Sequence, residues 1–173
     1  MKKAKMLCLD ALLLLVLLGL DQFTKRLAVL YLKEKPAVPL LKGVLEFQYL
    51  ENRGAAFGML KDQKVFILFV GVVFVCLLLY LLVKLPDQKK YRAVHILFTG
   101  IIAGGIGNMF DRFRLQYVVD FIYFVPIDFP VFNLADTYVV LATVGLFILF
   151  LFVYQEKDLE FLSFKQKKYR EMK

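Results

Sequence analysis

The sequence has no tryptophan, two cysteines, one histidine and five prolines among 173 residues. The isolated Cys8 and Cys76 cannot build a disulfide framework or a Cys/His metal site, and we expect them to be small core residues. The histidine, His95, stands near the start of an apolar segment, and we expect it at an interface rather than in a ligand set. A Ser–His or Cys–His catalytic group is therefore not available.

Charge is also missing from long parts of the chain, which is 60% hydrophobic and carries a formal net charge of +8. A soluble domain has about 45–50% apolar residues, so this composition indicates a membrane protein. The lysines and arginines gather at the tips of apolar segments and are not arranged in an RNA-binding pattern. The basic balance therefore indicates orientation in a membrane and excludes a nucleic-acid partner.

Four apolar segments predict membrane spans at residues 7–26, 65–83, 93–110 and 137–154. The first resembles a signal peptide, but no small-x-small cleavage site follows Leu20, so we predict an uncleaved span. Small residues repeat every four positions in span three, including Gly100 and Gly104, and predict close packing against a neighbouring helix. We expect residues 1–173 to form one integral-membrane domain.

Basic residues predict that three segments lie on the cytoplasmic side of a cell membrane: the N-terminus, the loop after span two and the C-terminal tail at 155–173. The connections at 27–64 and 111–136 then face outward, although the first also contains lysines and arginines.

Both outward connections contain strand-like sequence. Residues 44–49 alternate, a turn is predicted at Asn52–Gly54, and the AAFGML segment that follows is either part of a surface hairpin or a substrate-contacting flap. The second connection is β-like near residues 113–125, and Pro126 and Pro130 exclude a helix there.

Four aspartates surround the start of span four, and each one alone has a simple explanation. Asp136 is suited to cap the span, Asp111 to pair with Arg112, Asp120 to lie in a loop and Asp128 to sit in a solvated turn. Asp120, however, stands between apolar residues, where an unpaired carboxylate is costly. Carboxylates that collect at one membrane boundary therefore indicate a functional site.

The predicted topology brings Asp21, the Asn52 loop and the aspartates around span four to one outer boundary. Asp21 and Lys25 are four residues apart and can pair, which by itself would only end span one. Two carboxylates in a low-dielectric site tend to share one proton, an arrangement suited to peptide hydrolysis. From the residues alone, either Asp111 or Asp120 could be the partner of Asp136.

Motifs around the spans carry a resemblance to a known family. In chain order they are DQFTK at 21–25, ENRGAAFG at 51–58, GNMFDR at 107–112, VVDF at 118–121 and FNLAD at 132–136. In order, spacing and topology they resemble bacterial lipoprotein signal peptidase, also called signal peptidase II, over essentially the whole chain. The resemblance implies a mainly α-helical, four-span membrane protein with a small extracytoplasmic β-cradle and a surface helix or flap.

The resemblance also implies an activity: an aspartic endopeptidase that cuts prolipoproteins before a diacylglyceryl-modified cysteine. It implies Asp120 and Asp136 as the catalytic pair. The supporting residues that it implies are Asn108, Asp111, Arg112, Asn133, Asn52, Gly54, Asp21 and Lys25. We expect no cofactor or metal, a monomer, and membrane lipid as a partner beside the precursor.

Two other classes of protein would also place acids in a membrane. A small transporter or channel would have them in mid-span with broken helices, whereas here they lie at span ends. A non-enzymatic membrane subunit would use them only to cap and pair.

Overall fold

The computed structural model describes residues 3–54 and 63–158. Its helices are α1 (Lys3–Leu32), α2 (Lys64–Lys84), α3 (Arg92–Leu115) and α4 (Leu134–Phe152), and each contains a segment long and apolar enough to cross a membrane. A helix rises about 1.5 Å per residue, so roughly 20 residues cross the hydrocarbon layer. The predicted fold of four spans with a small sheet is confirmed.

The helix ends differ from the predicted span limits. α1 covers residues 3–32 instead of 7–26, α3 continues to residue 115 instead of 110, and α4 covers residues 134–152 instead of 137–154. Asp111 and Arg112 therefore lie in the last turns of α3. Their side chains bind polar partners on other elements, Lys25 and Gly54 respectively. α4 begins early because Asn133 caps it.

The outer connections form an antiparallel sheet in the order β1 (Val38–Leu41), β2 (Leu45–Asn52), β3 (Val118–Phe124) and β4 (Phe129–Phe132). The alternation at 44–49 and the β-like segment correspond to β2 and β3. The other strands were not predicted, since each contains a proline. Both are edge strands, where the missing N–H of a proline can be tolerated.

α3 lies at the centre of the bundle, and its glycines allow α4 to approach closely. A Cβ atom at Gly100 would lie 3.5 Å from the Cβ of Ala142, and one at Gly104 would overlap the carbonyl oxygen of Ala135. The predicted role of small residues in helix packing is confirmed here. Because Ala135 adjoins Asp136, this close contact brings the start of α4 against α3.

The sheet is attached to the last turns of α1 by an apolar cluster. Ala28 packs with Val119 and Phe121, and the half-buried Leu32 and Phe47 complete the contact. This packing places β3, and with it Asp120, beside the end of α1.

The expectation that the two cysteines are core residues is wrong. Cys8 and Cys76 are exposed on the outer faces of their helices, where an apolar thiol can face lipid, instead of lying in the core. His95 is buried between helices, where Asp10 of α1 provides a partner for it. The AAFGML segment and the tail from residue 159 lie outside the described residues.

Candidate active site

Asp120 lies on β3 in a buried position, with 1% of its surface exposed. Its Oδ2 accepts a hydrogen bond from Asn52 Nδ2 at 2.9 Å, and its Oδ1 accepts one from Asn133 Nδ2 at 2.6 Å. The Oδ1 atoms of these asparagines accept backbone N–H groups of Gly54 and Asp136 respectively. The amide groups are therefore oriented with their N–H donors toward Asp120.

Asp136 lies in the first turn of α4 and is half-buried. Its Oδ1 accepts a hydrogen bond from Asn108 Nδ2 at 2.7 Å, and its Oδ2 accepts one from the backbone N–H of Asn133 at 3.1 Å. The residue that caps α4 is Asn133, and Asp136 completes a capping box three positions later. The interpretation of Asp136 as the capping residue is therefore wrong.

Asn133 connects the two aspartates. Its side chain donates to Asp120 while its backbone N–H donates to Asp136, and the side chain itself is fully buried. A second hydrogen bond, from Asn133 Nδ2 to Asn108 Oδ1 at 3.1 Å, closes the network on α3. The two carboxylates thus share Asn133 as a partner, while Asn52 of β2 holds Asp120 and Asn108 of α3 holds Asp136.

Lys25 provides a positive charge to this network. Within residues 3–54 and 63–158, it is the residue of the network that forms salt bridges with carboxylates. Its Nζ lies 3.0 Å from Asp21 Oδ2 and 2.9 Å from Asp111 Oδ2, and it donates to Asn108 Oδ1 at 2.9 Å. All three charged side chains are at most 3% exposed. Lys25 thereby offsets two buried negative charges and orients Asn108 toward Asp136.

The two acids paired with Lys25 also hold backbone from other elements. Asp21 Oδ1 accepts the backbone N–H of Ala135 at 3.1 Å, and Asp111 Oδ2 accepts that of Val119 at 3.3 Å. Asp21 therefore positions the start of α4, and Asp111 positions the strand that carries Asp120.

Gln22 belongs to the same network, although no role was predicted for it. Its Nε2 donates to Asp21 Oδ2 at 3.1 Å and to Asp111 Oδ1 at 2.9 Å. A glutamine beside an aspartate at the end of an apolar span was a signal that could have identified it.

Arg112 connects α3 to the loop that follows β2. Its guanidinium donates to the carbonyl oxygen of Gly54 at 2.8 Å and to that of Asn108 at 3.4 Å. Gly54 is buried, whereas the neighbouring Arg53 is exposed. The loop is therefore fixed on α3 immediately before residue 55.

All of the predicted site residues are brought together in this network, while Asp128 lies apart from it. Asp128 is exposed in the turn before β4, where it accepts a hydrogen bond from the Tyr123 hydroxyl at 2.6 Å. Within residues 3–54 and 63–158, no group of three or more His, Cys, Asp or Glu side chains could hold a metal ion.

Burial raises the pKa of Asp120 to about 7, and the nearby charge of Asp136 acts in the same direction. The hydrogen bonds from Asn52 and Asn133, together with the more distant Lys25, oppose the rise without cancelling it. A carboxyl group with such a pKa can hold a proton near neutrality while a neighbouring one is ionised. The arrangement can therefore supply both an acid and a base to a reaction.

Gly107 is the point on α3 where this network leaves no room for a side chain. A Cβ atom there would lie 2.5 Å from Asp21 Oδ2. We expect Gly107→Ala to lower the free energy of unfolding by about 1–3 kcal/mol, because the buried carboxylate must move. Thermal unfolding in detergent measures this, with Gly19→Ala as the control, since nothing lies within 4 Å of the added methyl group. Equal melting temperatures for the two variants would contradict the expected crowding.

A family model described as "Signal peptidase (SPase) II" matches residues 13–153, which include the whole network. The chain belongs to the signal peptidase II family. It is 44% identical over 134 residues to the lipoprotein signal peptidase of Caldanaerobacter subterraneus subsp. tengcongensis, covering 77% of this chain and 89% of that relative. It is 37% identical to the enzyme of the same name from Streptococcus pyogenes serotype M1, covering 84% and 92%.

Solved structures of bacterial membrane enzymes have the same fold as this chain. A bacterial membrane enzyme determined by the in meso method at 2.3 Å resolution has a TM-score of 0.76 and 26% identity, covering 92% of this chain and 94% of that one. A second, at 1.9 Å, has a TM-score of 0.74, also at 26% identity, and covers 84% and 94%. The chain is accordingly a peptidase of a bacterial membrane.

Proposed function

We propose that this signal peptidase II family member is an aspartic endopeptidase that removes signal peptides from diacylglyceryl-modified prolipoproteins. The cut falls before the lipidated cysteine, and Asp120 and Asp136 are the catalytic pair. The observation that carries the proposal is the bridge through Asn133, whose side chain donates to Asp120 while its backbone N–H donates to Asp136. Two carboxylates held in this way at the end of an apolar bundle suit the hydrolysis of a peptide bond at a membrane boundary.

In the proposed mechanism, Asp120 holds the proton and Asp136 is ionised. Asp136 takes a proton from a water molecule as the water oxygen attacks the scissile carbonyl carbon, and Asp120 donates its proton to the carbonyl oxygen. The tetrahedral intermediate then collapses. Asp120 recovers its proton from the hydroxyl group, Asp136 passes its own to the leaving nitrogen, and the C–N bond breaks.

The surrounding side chains keep this pair in its working arrangement. Asn108 donates to Asp136 and Asn133 donates to Asp120, so neither carboxylate can rotate without losing a hydrogen bond. Lys25, which is held by Asp21 and Asp111, donates a hydrogen bond to Asn108 and so orients its amide group. The hydrogen bond from Arg112 to Gly54 holds the backbone in place immediately before residues 55–62. We propose that this following segment contacts the substrate.

The charge pattern supports an orientation with both termini in the cytoplasm and the site at the extracytoplasmic boundary. There, a single chain of this protein would meet a precursor that is held in the membrane by its signal segment and its lipid. The partners in this proposal are the lipidated precursor and membrane lipid, with no cofactor.

The lipid on the precursor should decide which substrates are cleaved. A diacylglyceryl group anchors the cysteine at the membrane boundary through its buried CH₂ groups, each worth about 0.8 kcal/mol. We therefore expect unlipidated precursor to be cleaved far more slowly than lipidated precursor in the same detergent micelles. Measured initial rates on a matched pair of reporters test this, and comparable turnover of the two would contradict the proposed substrate class.

The raised pKa of Asp120 predicts how activity depends on pH. Since the mechanism requires Asp120 to be protonated, kcat/KM should fall as the pH rises through about 7, the value at which this carboxyl ionises. Rates on the lipidated reporter between pH 5 and 9 measure this alkaline limb. A profile that stays flat across neutrality, with the protein still folded, would contradict the assignment of the proton to Asp120.

A further inference from the structure

A second buried pair lies in the bundle well away from the aspartate site. His95 of α3 and Asp10 of α1 are in contact through Nδ1 and Oδ2 at 2.7 Å, and they are 2% and 6% exposed. His95 Nε2 is buried with no hydrogen-bond partner among the described residues. Within residues 3–54 and 63–158, the contact with Asp10 is thus the hydrogen bond that offsets the burial of this ring.

Asp10 shares a helix face with the residues of the candidate active site. It precedes Asp21 by three turns of α1, because eleven residues at about 100° each return to nearly the same direction. The buried residues of α1 are Met6, Asp10, Asp21, Lys25 and Ala28, so no residue between Asp10 and Asp21 is buried. The intervening segment faces outward or is half-buried.

Between residues 10 and 25, the fully buried contacts of α1 are therefore polar, while Leu14 and other half-buried leucines add apolar contact. Half-buried leucines of similar shape distinguish poorly between nearby rotations of a helix, whereas the polar contacts require one. A slide of one residue would move α1 by about 1.5 Å and, to keep its contacts, turn it by about 100°. Such a change would separate Asp10 from His95 and Lys25 from its partners on α3.

We propose that Asp10 and His95 are positioning residues: their contact sets the rotation and height of α1 against α3, and thereby places Lys25 on Asn108 and Asp111. Buried charged or polar pairs often contribute little net stability, yet they can select one packing arrangement. The match to the family model begins at residue 13, so Asp10 lies outside the matched segment. The proposal rests on the proposed role of the network around Asp120 and Asp136.

The test uses the double variant Asp10→Leu/His95→Leu in the full-length protein. We expect a melting temperature equal to or above that of the wild type, because apolar side chains of similar size replace the buried pair. We expect kcat on the lipidated reporter to fall about tenfold with KM little changed, since small misplacements of catalytic groups are costly. The amides of Ala135 and Val119, which donate to Asp21 and Asp111, should exchange hydrogen faster.

Asp10→Asn is the conservative variant, since an amide oxygen can still accept a hydrogen bond from His95. We expect it to keep most of the wild-type kcat. Wild-type kcat and wild-type exchange in the double leucine variant would overturn the proposal, as would a loss of kcat that accompanies a lowered melting temperature. An equal loss of kcat in Asp10→Asn would do so as well. The exchange measurement does not depend on which residues cut the substrate, so it distinguishes failure of this proposal from failure of the catalytic assignment.

Discussion

Replacing Asp120 or Asp136 by asparagine should abolish cleavage of a lipidated precursor while the protein remains folded and inserted. Each substitution keeps the shape of the side chain but removes the carboxyl group that accepts or donates a proton. General acid–base catalysis contributes about 10²–10⁴-fold to a rate, so we expect kcat to fall by about that factor or more. The measurement is single-turnover cleavage of the reporter, with thermal unfolding of each variant measured in parallel.

Asp128 provides a matched control from the same stretch of sequence. It is an exposed turn residue whose recorded side-chain hydrogen bond comes from Tyr123, so Asp128→Asn should leave kcat unchanged. If Asp120→Asn or Asp136→Asn cleaves at nearly the wild-type rate, the aspartate mechanism fails. A transporter or a non-enzymatic subunit would show no precursor cleavage in the wild type either, which separates those classes before any variant is made.

The sequence alone predicts that the residues of the site meet on one side of the membrane. Successive spans alternate in direction, so the end of α1, the end of α3 and the start of α4 must meet on one side of the membrane. Asp21, Asn108 and Asp136 therefore had to share a boundary whatever the helix packing. Hydrophobic run length determines this result, and run length is read directly from a sequence.

The face on which each polar side chain lies could not be predicted. The register between β2 and β3 shifts between Phe47 and Leu50, so that Leu50, rather than Tyr49, lies opposite Asp120. Because side chains alternate along a strand, this irregularity puts Asn52 on the same face as Asp120, within hydrogen-bond distance. The sequence has no signal for the shift, and a regular strand would have turned Asn52 away.

The partner of His95 was missed for a related reason. In the sequence, Asp10 is an isolated acid in an apolar span, and nothing there shows how the helix that carries it is rotated toward His95. The same limit left Asp111 and Asp120 as alternatives. Within residues 3–54 and 63–158, Asp111 forms a salt bridge with Lys25, whereas the hydrogen-bond partners of Asp120 are side-chain amide donors.

Lys25→Met should have the largest effect on stability among substitutions of charged residues in the site. The variant keeps the length of the side chain but leaves Asp21 and Asp111 buried without the cation that lies 3.0 and 2.9 Å from them. Removing one partner of a buried ion pair costs about 3–5 kcal/mol. Thermal unfolding in detergent should show a large drop in melting temperature, and activity should fall because Asn108 loses the donor that orients it.

Lys33→Met is the matched control, because its pair has nearly the same geometry and differs in burial. Lys33 Nζ lies 3.1 Å from Glu51 Oε1, but the side chains are 40% and 29% exposed. Water screens such a pair, so its loss should change the melting temperature little. Adding Asp21→Asn and Asp111→Asn to Lys25→Met removes the uncompensated charges, and should restore stability without restoring activity. If Lys25→Met proved as stable as Lys33→Met, the buried lysine could not be what holds the two acids in place.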